Sequence, residues 1–168
     1  MMCAIFHSAS EMPMSIAAEV RAPMTQRPTQ DPLRVLLVED SPMIRERLIE
    51  SISSLRGVAI VGCADNAAAA LRILQLNACD VVVLDLQLHA GHGFNILAAL
   101  KMAPERPQTT VVVLTSLASA AFRARSLSAG ADYFFDKVFD YDRFTELLEQ
   151  LAARRARNIG REPSAVTP

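Results

Sequence analysis

Two periodicities alternate along this chain. Short runs of consecutive apolar residues, many of them β-branched, separate longer stretches whose apolar positions recur every three to four residues. The runs Leu36-Leu37-Val38, Val81-Val82-Val83-Leu84, Val111-Val112-Val113-Leu114 and Tyr133-Phe134-Phe135 read as strands buried on both faces of a parallel sheet. They predict strands over residues 34–38, 80–84, 110–115 and 131–135, with another at 58–63. The intervening stretches predict helices. Pro42 suits a first helical position behind Ser41 as N-cap, and Ile44, Leu48, Ile52 and Leu55 form its stripe up to Gly57. Asp65 or Asn66 can cap a second helix with Leu71, Leu74 and Leu76 facing inward. A loop with Gly91 and Gly93 leads to a third over 94–101, and Pro104 and Pro107 break the chain after it. A fourth over 119–128 closes on Gly130, and a fifth over 141–155 carries Phe144, Leu147, Leu148 and Leu151. Five strands alternating with five helices indicate an α/β doubly wound domain.

This pattern occupies residues 33–155 and leaves no internal repeat and no second folded unit. Residues 1–32 hold Pro13, Pro23, Pro28 and Pro32 with no sustained periodicity, and read as a flexible extension within which Met24 is an alternative start. Residues 156–168 read as a basic, then polar tail.

Composition narrows the class. A length of 168 residues with 51% apolar content can fill one sizeable core. A formal charge of −1 offers no overall attraction to nucleic acid or anionic lipid, and 5% aromatic residues with no Trp argue against a base-stacking surface. Arg154, Arg155, Arg157 and Arg161 read as solvated residues that complement a helix C-terminus. Cys3, Cys63 and Cys79 have no metal spacing, and Cys63 and Cys79 read as small core residues in a reducing cytosol. No stretch approaches the roughly 18 consecutive apolar residues of a membrane span, and the first twenty residues lack a signal-peptide pattern. A soluble, cytoplasmic protein is expected.

The strand ends carry the chemistry. The first apolar run delivers Glu39-Asp40, the third strand Asp85, the fourth Thr115-Ser116 and the fifth Asp136-Lys137. In parallel sheets the ligand crevice lies beyond the carboxyl ends of the strands, so these groups should meet there. Asp40 and Asp85 suit a magnesium ion, which takes oxygen ligands and retains water, with Glu39 adding a third charge. Asp85 can then attack a phosphoryl donor, Lys137 can neutralise a phosphoryl oxygen or the Asp85 carboxylate, and Thr115 can donate to another oxygen. Thr115 and Ser116 could instead simply cap the following helix.

An acidic pair, an Asp, a Thr and a Lys after strands one, three, four and five resemble the receiver domain of two-component response regulators, over nearly all of the ordered chain. The resemblance implies a flavodoxin-like (βα)5 fold with strand order 2-1-3-4-5. It implies Asp85 as phospho-acceptor, Glu39, Asp40 and Asp85 as Mg2+ acids, the Gln87 backbone carbonyl as a further metal ligand, Thr115 as switch hydroxyl and Phe134 as switch aromatic. Gly93 and Gly130-Ala131-Asp132 also fit the family's turns. The implied partners are a histidine kinase or phosphotransfer protein and a downstream protein, with phosphorylation-dependent dimerisation as a further form. The downstream protein would meet the face of the fourth helix, fifth strand and fifth helix, near Phe122, Arg123, Arg125, Asp142 and Arg143. With no effector after Arg155, a stand-alone receiver that is not an enzyme is expected.

Three departures stand out. Val138 follows Lys137 where the family often has a cis-proline; His89 replaces a common proline; and Phe134 replaces a frequent tyrosine. His89 and His92 read as a solvated loop pair rather than metal ligands. The alternatives are a phosphorylation-independent interaction module of the same fold, or a Mg2+-dependent phosphatase of the haloacid dehalogenase type. The phosphatase would need an acid where Gln87 stands. A dinucleotide-binding role lacks its glycine fingerprint, since Glu39-Asp40-Ser41-Pro42 follows the first strand.

Overall fold

The computed structural model describes residues 31–102 and 109–159. Pro104, Pro107, Met24 and most of both tails lie outside the described residues. The elements run in the order β1 (Leu33–Val38), α1 (Pro42–Ser54), β2 (Val58–Ala64), α2 (Ala67–Leu76), β3 (Val81–Leu84), α3 (Gly93–Lys101), β4 (Thr110–Thr115), α4 (Ala120–Ser128), β5 (Tyr133–Asp136) and α5 (Tyr141–Ile159). All neighbouring strands are parallel, in the order β2-β1-β3-β4-β5 that the sequence resemblance implied.

Side chains along β1 alternate between two cores, as strand geometry requires. Leu36 and Val38 enter a cluster with α2 and α3, whereas Val35 and Leu37 enter one with α1 and α5. These four residues are fully buried, each contributing roughly 1.5–3 kcal/mol relative to exposure. Helix α4 attaches differently: its buried residue is Ser126, whose hydroxyl donates to the Phe122 carbonyl at 2.8 Å. Asn66, not Asp65, caps α2, accepting from the Ala69 N–H at 2.8 Å. Gly130 adopts φ +107°, the left-handed form expected behind α4.

Some expectations are corrected. Leu76 is 77% exposed. The buried positions of α2 are Ala67, Ala70 and Leu74, and a residue two beyond Leu74 lies about 200° around the helix. Cys63 is exposed too, because β2 is an edge strand in which only Ala64 is buried. Ser41 occupies the N-cap position of α1 without a side-chain cap bond. Its backbone N–H instead donates to Glu39 Oε1 at 3.2 Å.

Arg155 is no solvated helix end. Helix α5 continues to Ile159, and Arg155 reaches Asp80 at 2.6 Å and Asp31 at 2.5 Å. Asp80 also accepts from the Arg34 backbone N–H at 2.8 Å and from the Arg34 guanidinium at 3.1 and 3.0 Å. Burial alone would raise the Asp80 carboxyl, but the hydrogen bonds and charges of Arg34 and Arg155 hold it below its ordinary range. Asp80→Asn should therefore cost about 1.5–3 kcal/mol in urea unfolding at pH 7, the range for hydrogen bonds to charged groups. A depressed carboxyl stabilises the fold fully above its unfolded value of 3.8. That contribution is lost as pH falls through the lower folded value, so the gap between wild type and variant should close in strong acid.

Candidate functional site

Strand register brings distant residues to one sheet edge. Val38 pairs with Leu84, and Thr115 pairs with Asp136, so the residues just beyond these pairs converge. The Asp85 N–H donates to the Val38 carbonyl at 3.0 Å, and the Lys137 N–H to the Thr115 carbonyl at 3.1 Å. Glu39, Asp40, Asp85 and Lys137, together with Thr115 at the last position of β4, therefore meet at the carboxyl ends of four strand segments. Gly93 closes the edge from beneath. A Cβ there would stand 2.5 Å from the Asp85 carbonyl oxygen and 2.9 Å from Leu86 Cα, both backbone atoms, so a glycine is needed where α3 starts.

Asp85 is the hub, only 5% exposed. Its Oδ1 accepts from the Thr115 hydroxyl at 2.7 Å and from the Gln87 N–H at 3.1 Å. Its Oδ2 accepts from Lys137 Nζ at 2.6 Å. The same ammonium lies 2.6 Å from Glu39 Oε2. Thr115 thus bonds Asp85, and the N-cap of α4 is Ser119; a pure capping role for Thr115 is excluded. One carboxylate oxygen from each of Glu39, Asp40 and Asp85 lies within 4.8 Å of the other two.

Burial, opposed by the Lys137 hydrogen bond and charge, leaves the Glu39 carboxyl above its ordinary value. Asp40 moves the other way: burial would raise it, but hydrogen bonds from the His89 backbone and imidazole hold it below the usual range. Three carboxylates against one ammonium leave a deficit of positive charge at the edge when all are ionised. The donors are all oxygen, hard, and close enough to share one ion. This donor set fits a magnesium ion, with Glu39, Asp40 and Asp85 as the groups that would hold it.

The acids form one wall of a cavity of about 750 Å³. Gln87 lines it as well, and its backbone forms a bridge with His92 across the loop between β3 and α3. Sequence reasoning set His89 aside as solvated. Its side chain is 91% exposed, yet its Nδ1 contacts Asp40 Oδ2, and its backbone N–H donates to the same oxygen at 2.7 Å. The only signal in the sequence was its position four residues after Asp85. Arg45 was also missed; its guanidinium donates to the Glu39 carbonyl at 2.9 Å, one turn into α1.

Phe134 is buried at 4%, with the Arg123 guanidinium 5.0 Å from its ring centroid. Arg123 also lies 3.9 Å from Asp140. Phe122 and Arg125 of α4 line the cavity, and the exposed Arg125 lies 4.2 Å over the Phe94 ring of α3. Val138 and Phe139 are exposed at 71% and 86% beside Lys137. Among the described residues, no helix is long and apolar enough to cross a membrane.

A family model of the response regulator receiver domain matches residues 35–149. A gliding motility regulatory protein of Myxococcus xanthus is 37% identical over 125 residues, which are 73% of this chain and 16% of that protein. The sensory transduction protein LytT of Bacillus anthracis is 32% identical over 127 residues, 76% of this chain and 50% of that protein. The chain thus spans half or less of these curated relatives. Among solved structures, a LuxR-family two-component response regulator from Aurantimonas sp. SI85-9A1 superposes with TM-score 0.66 at 26% identity, covering 74% of this chain and 87% of that one. A parallel sheet of this order, an acid–hydroxyl–lysine cluster at its edge and a family match over most of the chain agree: the protein is a member of the response regulator receiver domain family of two-component signalling.

Proposed function

We propose that this receiver is a phosphorylation switch in which Asp85 takes a phosphoryl group from a histidine kinase or phosphotransfer protein. The observation that carries the reading is the convergence of a hydroxyl, an ammonium and two further acids on one nearly buried carboxylate. An Asp85 carboxylate oxygen attacks phosphorus, the bond from phosphorus to the donor's imidazole nitrogen breaks, and the freed imidazole takes up a proton. Lys137 neutralises the acceptor carboxylate before transfer and can follow the charge onto the phosphoryl oxygens afterwards. Positioning and charge neutralisation of this kind account for most of phosphoryl-transfer catalysis. Mg2+, held by Glu39, Asp40 and Asp85 with the Gln87 carbonyl, would neutralise phosphoryl charge.

The product carries about −1.5 to −2 charge where a carboxylate stood. Thr115 then has a better acceptor than Asp85 Oδ1, and its movement is the link from site to surface. Phe134 lies on the strand next to Thr115 and under Arg123, so a shift of Thr115 reaches the α4–β5–α5 face through this ring. Output follows as binding of a downstream protein, or a second copy, at that face. In this reading the chain accepts phosphate rather than turning over a substrate, and it acts in the cytoplasm.

Acetyl phosphate tests the chemistry without a partner. Intact mass should show one added phosphoryl group with Mg2+ and essentially none with EDTA. Equal uptake in both would remove the metal from the reading.

A further inference from the structure

The loop between β3 and α3 is built more firmly than a solvated loop requires. Leu86 and Leu88 are buried at 2% and 7%, while Gln87 and His89 point the other way. Gln87 bridges to His92, and the Gly93 N–H donates to the Leu86 carbonyl at 3.2 Å. The Ala67 N–H at the start of α2 also donates to the Ala90 carbonyl at 3.4 Å. His89 is therefore presented at a set place, and that place is Asp40. Its backbone N–H and its Nδ1 both fall on Oδ2 of this carboxylate.

We propose that His89 is a positioning residue for the cation site: by holding Asp40 through Oδ2, it fixes this carboxylate in place beside Glu39 and Asp85. The inference rests on the reading of Asp40 as a metal ligand and adds a residue to it. A free aspartate must lose side-chain rotations to ligate an ion; a carboxylate already pinned by two donors has lost them beforehand. Groups that hydrogen-bond to a ligand act on metal affinity in this way, with losses of about 10–100-fold on their removal. The sequence carries the donor in an unusual form. A proline at position 89 would supply neither the N–H nor the imidazole; the backbone donor needs only a residue other than proline, and the side-chain donor is what histidine adds.

Mn2+ binding to the intact chain, read from the electron paramagnetic resonance of the free ion at pH 8, tests this directly. His89→Ala should raise the Mn2+ Kd about tenfold, at the lower end of that range because the backbone donor remains. His89→Asn should recover most of the affinity, because its amide nitrogen can donate from about where Nδ1 stands. In wild type, 15N spectra should show the His89 Nδ1–H donating to a carboxylate, and Asp40→Asn should abolish that signature. Unchanged Mn2+ affinity in His89→Ala, alongside weakened binding in Asp40→Asn, would overturn the positioning role and leave the metal site standing. Wild-type affinity in Asp40→Asn, or no Mn2+ binding in wild type, would overturn both.

Discussion

Asp85→Asn takes up no phosphoryl group from acetyl phosphate, even with Mg2+ present: this is the largest effect expected of any single substitution. The amide keeps the shape of the side chain and can still accept from Thr115, but its oxygen bears no negative charge and does not displace a leaving group from phosphorus. The fold should tolerate the change. Removing one charge from a cluster of three acids relieves repulsion, and the Lys137 ammonium keeps Glu39 at 2.6 Å. Intact mass and a urea unfolding curve on the same sample separate the two effects. Normal stability with no added mass places the acceptor at position 85. Full uptake by the variant would move it elsewhere, and the mechanism with it.

Lys137→Met is expected to produce the largest loss of stability. Lys137 is 10% exposed and bonds two carboxylates whose side chains are 2% and 6% exposed. Removing one partner of such a buried arrangement leaves charge without compensation, a change worth about 3–5 kcal/mol. Urea unfolding at pH 7 with EDTA should show a deficit near the lower end, because the cavity beside the acids admits water. The loss should depend on pH in a definite direction. Glu39 already has a folded-state carboxyl above its ordinary value of 4.5. Across the window between the unfolded and folded values the folded state holds the extra proton, so stability falls as pH rises. Without Lys137 the two influences that lower Glu39 vanish, and the window extends upward. The deficit should therefore be larger at pH 7 than near pH 4.5, and Mg2+ should restore part of it by binding the folded state alone. A deficit independent of pH would mean that the ammonium does not control Glu39. The same variant should also take up phosphate poorly, which ties the residue to both the resting arrangement and the reaction.

The two variants read the cluster from opposite sides. One removes the nucleophile and spares the fold; the other leaves the nucleophile and removes the charge that makes its burial affordable. Together they distinguish a site organised around transfer from a cluster that merely closes a sheet edge.

Amino-acid order alone determined the elements and the cast of the site. Runs of consecutive apolar residues, β-branched in β3 and β4 and aromatic in the edge strand β5, read as strands of a parallel sheet, and Glu39, Asp40, Asp85, Thr115 and Lys137 stand where those runs end. The strand order came through family resemblance, not from periodicity. What tertiary structure decided was contact. Leu76 and Cys63 look apolar in the sequence, but a helical rotation and an edge position expose them. Arg155 looks like a tail residue until Asp80 and Asp31 arrive beside it. His89 acquires a role only because a loop anchored by Leu86 and Leu88 delivers it to an acid 49 residues earlier in the chain. Hydrophobic periodicity is local and legible in one dimension. The pairing of charged and hydrogen-bonding groups depends on register, rotation and loop path, which arise only when the whole sheet assembles.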